Sequence, residues 1–105
     1  MRILFDHGTP APLRRALTGH TVSTAYEKAW AQLDNGALLK AAEAQFDILI
    51  TTDRNLRHQQ NVANLHLAIL ILPTTSWPKI RAHESRVLAA VEALRPGDVV
   101  ELKFS

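Results

Sequence analysis

The chain contains no cysteine. A disulfide framework and a thiolate metal site are therefore excluded, and the absence fits a reducing compartment such as the cytosol. No apolar run approaches the roughly 20 residues that cross a bilayer. The opening "MRILFDHG" places no charged segment ahead of a long apolar one, so it is not read as a signal peptide. Glycine and proline are sparse, at 4 and 5 residues, and no Pro- or Ser-rich stretch, repeat or low-complexity segment divides the chain. Charge of one sign is also lacking: 12 Lys and Arg stand against 10 Asp and Glu, a net +2. That balance permits a nucleic-acid partner without demanding one, because phosphate binding depends on where the charge lies. One cytoplasmic domain without a membrane partner is the expectation.

What the chain does have is apolar residues, at 47% of its 105 positions, enough for a single modest core. Their spacing alternates between two periods. "RILF" (2–5) reads as a strand. In "TPAPLRRALTG", Thr9 can cap a helix, Pro10 suits its first turn, Leu13, Ala16 and Leu17 share a face, and Gly19 stops it. "HTVST" (20–24) reads as a strand, and "AYEKAWAQL" as a loop or broken helix. "DNGALLKAAEAQ" is helical, opening on Asp34 or Asn35. "FDILITT" and "LHLAILIL" are continuous apolar runs, the pattern of strands covered on both faces. Pro78 sits in a first helical turn, and Ile80, Val87, Leu88, Val91 and Leu94 continue at helical spacing to Pro96-Gly97. "DVVEL" (98–102) is a last strand. Strands separated by helices predict an α/β fold, a mostly parallel central sheet between helical layers.

Sheets of this kind take ligands at the carboxyl ends of their strands, beside a topological switch point. Two carboxylates fall there, Asp6 after "RILF" and Asp53 after "DILITT". Two such charges about 4 Å apart repel by about 4 kcal/mol at an effective dielectric of 20. A shared proton, a nearby cation, or a bound Mg²⁺ or Mn²⁺ relieves that. A divalent ion held there could orient a phosphate and activate water for in-line attack. The plainer alternative is that each aspartate only caps a helix or fastens a turn.

In order and spacing, the first-strand aspartate, "YEKAWAQLDNG", "DILITTDRN", "TTDRNLRHQQN" and "LRPGDVVEL" give the chain a resemblance to the PIN-like domain superfamily. The likeness is to its short, single-domain branch of toxin-like predicted nucleases, and it covers nearly the whole chain. It implies a PIN-like three-layer fold and a Mg²⁺- or Mn²⁺-dependent ribonuclease, acting as the toxin of a toxin–antitoxin pair. RNA, a small antitoxin and a possible homodimer are the partners so implied. Asp6 matches the first-strand acid and Asp53 the acid of the "TxD" motif; these two are the expected metal ligands. Asn35 and Asn55 fall where many relatives carry acids, and "DHGTP" lacks the acid that more usually follows the first aspartate. Asparagine can still offer a carbonyl oxygen but brings no charge. The expected catalytic set is Asp6, Asp53 and Asn35, with Asp34 or Glu27 as alternative sources of a further carboxylate. A catalytically depleted module that binds RNA or a protein without hydrolysis is the other reading.

Around Asp53, Arg54, Asn55, Arg57 and His58 are expected to bind substrate, gripping phosphates or base edges. The alternative is a solvated loop whose cations only offset the aspartate. Arg14 and Arg15 extend that surface or simply form an exposed helix face. No His-x-x-x-His pair supports a structural zinc site. His7, beside Asp6, is a possible acid/base, as is His58 in a metal-independent hydrolase. Trp30 and Trp77 either stack on bases or, more ordinarily, pack in the core or an interface.

Overall fold

The computed structural model describes residues 1–105. It is a three-layer α/β domain whose five strands are all parallel, in the order β2-β1-β3-β4-β5. The strands are β1 (Arg2–Phe5), β2 (Thr21–Thr24), β3 (Ile48–Thr51), β4 (Ala68–Ile71) and β5 (Val99–Glu101). The helices are α1 (Asn35–Gln45), α2 (Leu56–Gln59), α3 (Trp77–Ala82) and α4 (Glu84–Ala93), with a 3₁₀ helix at Ala11–Ala16.

The three central strands are short and buried on both faces, as their unbroken apolar runs predict. Successive side chains face opposite layers. Ile3, Phe5, Ile48, Ile50 and Leu70 pack with Leu13 and Leu17 of the 3₁₀ segment and with Ile80, Val87 and Val91 of α3 and α4. Leu4, Leu49, Ile69 and Ile71 pack on the other side with Leu38, Leu39 and Ala42 of α1 and Leu56 of α2. Both helical layers are thus fixed by the two-residue period of the strands. From β1 the chain passes outward to β2, then returns through α1 to place β3 on the opposite side of β1. The switch point therefore lies between β1 and β3.

Local chemistry explains the boundaries, including three that depart from expectation. Asp34 caps α1 by accepting from Ala37 N at 2.8 Å. The segment after β1 is a 3₁₀ helix and not an α-helix, and Thr9 does not cap it; its hydroxyl is turned back to Asp6. The long C-terminal helical pattern is two helices, broken at His83, whose ψ of 23° and φ of −124° leave the helical range. His83 is held there by a Nδ1 contact to Lys79 O at 2.9 Å and by stacking on Phe104 at 4.3 Å between centroids. The residues after Asp53 wind into the single-turn α2, because Asp53 Oδ1 accepts from Asn55 N at 2.9 Å and turns the chain. No helix is long and apolar enough to cross a membrane.

Candidate functional site at the β1–β3 switch point

Phe5 lies opposite Ile50 in the β1–β3 ladder, so the strand ends are in step where the two aspartates emerge. Asp6 N donates to Ile50 O at 3.2 Å, extending the ladder by one residue. The Asp6 side chain is buried, at 9% exposure, and is held by three protein donors. Gly8 N donates to Oδ1 at 3.2 Å and Thr51 Oγ1 donates to Oδ2. Thr9 Oγ1 lies 2.8 Å from Asp6 Oδ1 and 2.9 Å from Ile50 O, so one hydroxyl proton serves two acceptors. Gly8 lies close against its neighbour: a Cβ there would stand 2.6 Å from Thr52 Oγ1, so a larger residue would displace the threonine side chain.

Thr51 ties the second aspartate to the first. Its hydroxyl donates to Asp6 and also accepts from Asp53 N at 3.1 Å. Asp53 is half-buried. Its Oδ1 is engaged by Asn55 N, and its Oδ2 accepts from Asn35 Nδ2 at 3.2 Å, from the first residue of α1. Asp6, Asp53 and Asn35 are therefore gathered at one end of the sheet by β1, β3 and α1. Asn55 takes part through its backbone. An ionised carboxylate offers about four lone-pair positions. With three donors on Asp6 and two on Asp53, most of the unfilled capacity belongs to Asp53.

The predicted substrate-binding cations are placed differently from one another. Arg54 Nη2 donates to Pro73 O at 2.7 Å, beyond β4. Arg57 Nη1 reaches Glu101 Oε2 on β5 at 3.4 Å. Both arginines are thus drawn along the sheet edge toward β4 and β5. His58 is exposed and its ring has no protein partner. His7 is exposed too; it does not pair with Asp6, and it lines an open cavity of about 740 Å³ beside that residue.

Tyr26, Glu27 and Arg14 also line this cavity. Arg14 pairs with Glu27, which also accepts from Thr24 N at 2.9 Å. The Arg14 hydrogen bond first, and the Thr24 N–H next, hold the Glu27 carboxyl below its ordinary value of 4.5. A carboxylate depressed in this way stabilises the fold fully above pH 4.5, and the contribution disappears as pH falls through the lower folded value. Wild type is accordingly expected to melt above Glu27→Gln at neutral pH, by a small margin because the pair is solvent-exposed. Thermal melts repeated downward from pH 4.5 should show that margin closing. A margin constant with pH contradicts the assignment. Glu27 is thereby committed to Arg14, and Asp34 to the α1 cap, so neither is spare as a third acid.

Two residues essential to this geometry, Thr9 and Thr51, escape a search for acids and bases. Their trace in the sequence is position: a hydroxyl three residues after Asp6, and one ending the strand two residues before Asp53.

The donor set bears on the metal that the family likeness implies. No group of three or more His, Asp or Glu side chains is placed to hold an ion. Mg²⁺, however, commonly takes one or two carboxylates and retains several waters. The two carboxylates at this end of the sheet, with Asp53 the less filled, are a donor set for one water-rich ion at most and not for a closely spaced ion pair.

Fold and site together define an all-parallel, doubly wound α/β domain with an acid at each strand end flanking its switch point. Comparison with protein-family models, curated protein sequences and solved structures gave no significant match.

Proposed function

We propose that the protein is a cytoplasmic, PIN-like, metal-assisted ribonuclease whose centre is Asp6 and Asp53. The observation that carries this reading is the placement of two aspartates just beyond the strand ends that flank the β1–β3 switch point, with the Thr51 hydroxyl bonded to the Asp6 carboxylate and to the Asp53 backbone N–H. That is where ligands of parallel α/β sheets bind. Asp6 is the fixed partner, oriented by three donors, and Asp53 is the more open one. Asn35 orients Asp53 through its amide and leaves its own carbonyl oxygen for water or a substrate hydroxyl. A bound Mg²⁺ or Mn²⁺ supplies positive charge against the phosphate oxygens and makes water a better nucleophile. His7, exposed beside Asp6, is assigned the acceptance or return of a proton in this reading. A small antitoxin partner and a homodimer belong to the same reading through the family likeness.

The test is cleavage of labelled RNA by purified protein with Mg²⁺, with Mn²⁺, and with excess EDTA. Cleavage that requires either ion supports the proposal; cleavage undiminished in EDTA overturns it and points to His7 or His58.

One observation favours the second reading, a module that binds RNA or a protein without hydrolysis. The Asn35 amide stabilises Asp53 by a hydrogen bond where a second carboxylate would demand a cation. Binding of RNA with no cleavage under any metal condition selects that reading.

A further inference from the structure

Next to the cavity at Asp6 lies a second open trough, also about 740 Å³, between the 3₁₀ helix and the start of α3 and α4. Ala11, Arg14 and Trp77 line both, so the two adjoin. Beyond Trp77 the trough is walled by Arg15 and Arg81, with Glu84 as its one acid. Neither Arg15 nor Arg81 has an ion-pair or hydrogen-bond partner within the protein, although both are exposed. This contrasts with Arg54 and Arg57, each held by a neighbour. Trp77 is half-buried, its inner side packed on the core and its remainder lining the troughs. Tyr26, in the first cavity, is 83% exposed, which is unusual for a large aromatic with no packing role.

We infer that these adjoining troughs are the track of a single-stranded RNA, running from the Asp6–His7 cavity past Trp77 to Arg15 and Arg81. The inference rests on the ribonuclease reading for the identity of the nucleic acid. Free guanidinium groups bind phosphates along a backbone, and exposed aromatic faces accept unpaired bases whatever their sequence. A duplex presents its bases already stacked, so Tyr26 and Trp77 select the single strand. Arg14 stands at the junction. Its Nε is buried without a hydrogen-bond partner, while its Nη2 is fastened to Glu27. It therefore acts as a fixed post between the two troughs, and the unpaired Arg15 and Arg81 lie further along.

The experiment is fluorescence anisotropy with a fluorescein-labelled RNA of about 12 nucleotides, a length within the range one small domain covers. EDTA is present, so that binding is read apart from hydrolysis. Arg15→Glu and Arg81→Glu are each expected to weaken binding roughly tenfold and to lower the salt slope by about 0.7 per lost phosphate contact. Glu84→Gln, which removes the one acid lining the second trough, is expected to tighten it. Lys40→Glu, an exposed reversal on α1 in the opposite layer, should leave it unchanged. Arg15→Glu and Arg81→Glu binding as wild type, or wild type failing to bind at low salt, overturns the track. Wild type that binds but never cleaves removes the nuclease reading and leaves the track standing; cleavage with binding insensitive to both arginines does the reverse.

Discussion

Under the proposed ribonuclease function, Asp53→Asn is expected to lower metal-dependent RNA cleavage by about a hundredfold to a thousandfold, roughly 3–4 kcal/mol of transition-state stabilisation. The fold should survive the change. The introduced amide keeps a carbonyl oxygen to accept from Asn55 N, and the Asn35 amide can reverse to accept from the new side-chain donor, since asparagine presents both groups. Asp6→Asn is a less clean variant. Its new amide would have to face Thr51 Oγ1 or the Gly8 and Thr9 donors, leaving a buried donor without an acceptor. Loss of cleavage in Asp53→Asn with an unchanged melting temperature assigns the carboxylate to chemistry. Full cleavage by that variant removes Asp53 from the reaction.

The second large effect is on stability and comes from Thr51→Val. Valine matches threonine in shape, so packing against the surrounding strands is retained. The hydroxyl, however, belongs to a residue only 1% exposed, and it serves two partners. Without it, Asp6 Oδ2 loses its donor and Asp53 N loses its acceptor inside the sheet edge. Hydrogen bonds to charged groups contribute about 1.5–3 kcal/mol, and a stranded, part-buried donor adds to the loss. A destabilisation of about 2–4 kcal/mol is expected, a large share of the roughly 5–15 kcal/mol that holds a domain. Urea denaturation should show the midpoint fall for Thr51→Val and largely recover for Thr51→Ser, which restores the hydroxyl. If the valine and serine variants behave alike, the hydroxyl is not what secures this end of the sheet.

The sheet was largely readable from the chain because its central strands are unbroken apolar runs, and such runs must be covered on both faces. "ILIT" and "AILI" leave little choice. Asp34 was readable as a cap because it stands just ahead of a periodic helix, where a free N–H needs an acceptor. The breaks were harder to read. Helical spacing continues through His83, and only the ring's contacts with Lys79 and with the distant Phe104 show why the helix stops there. Thr9 has the chemistry of a cap, but a buried carboxylate competes for its hydroxyl and wins, since a charged acceptor is the stronger partner.

At the candidate site, the placement of Asp6 and Asp53 beyond strand ends was legible, whereas the direction taken by the neighbouring arginines was not. Arg54 and Arg57 adjoin Asp53 in the chain, yet α2 turns them toward Pro73 and Glu101. Arg81 is far from either aspartate in sequence, and only the packing of α3 beside the 3₁₀ helix brings it near Arg15. Proximity along a chain says little about direction once a turn intervenes.

The most direct measurement is a calorimetric titration of the metal-free protein with Mn²⁺, in wild type, Asp6→Asn and Asp53→Asn. The wild type is expected to bind about one ion per chain in a saturable step, matching a water-rich site built on two carboxylates. Both variants should lose that step. No saturable binding by wild type at millimolar Mn²⁺, or binding that persists unchanged in Asp53→Asn, contradicts the joint role of the two aspartates.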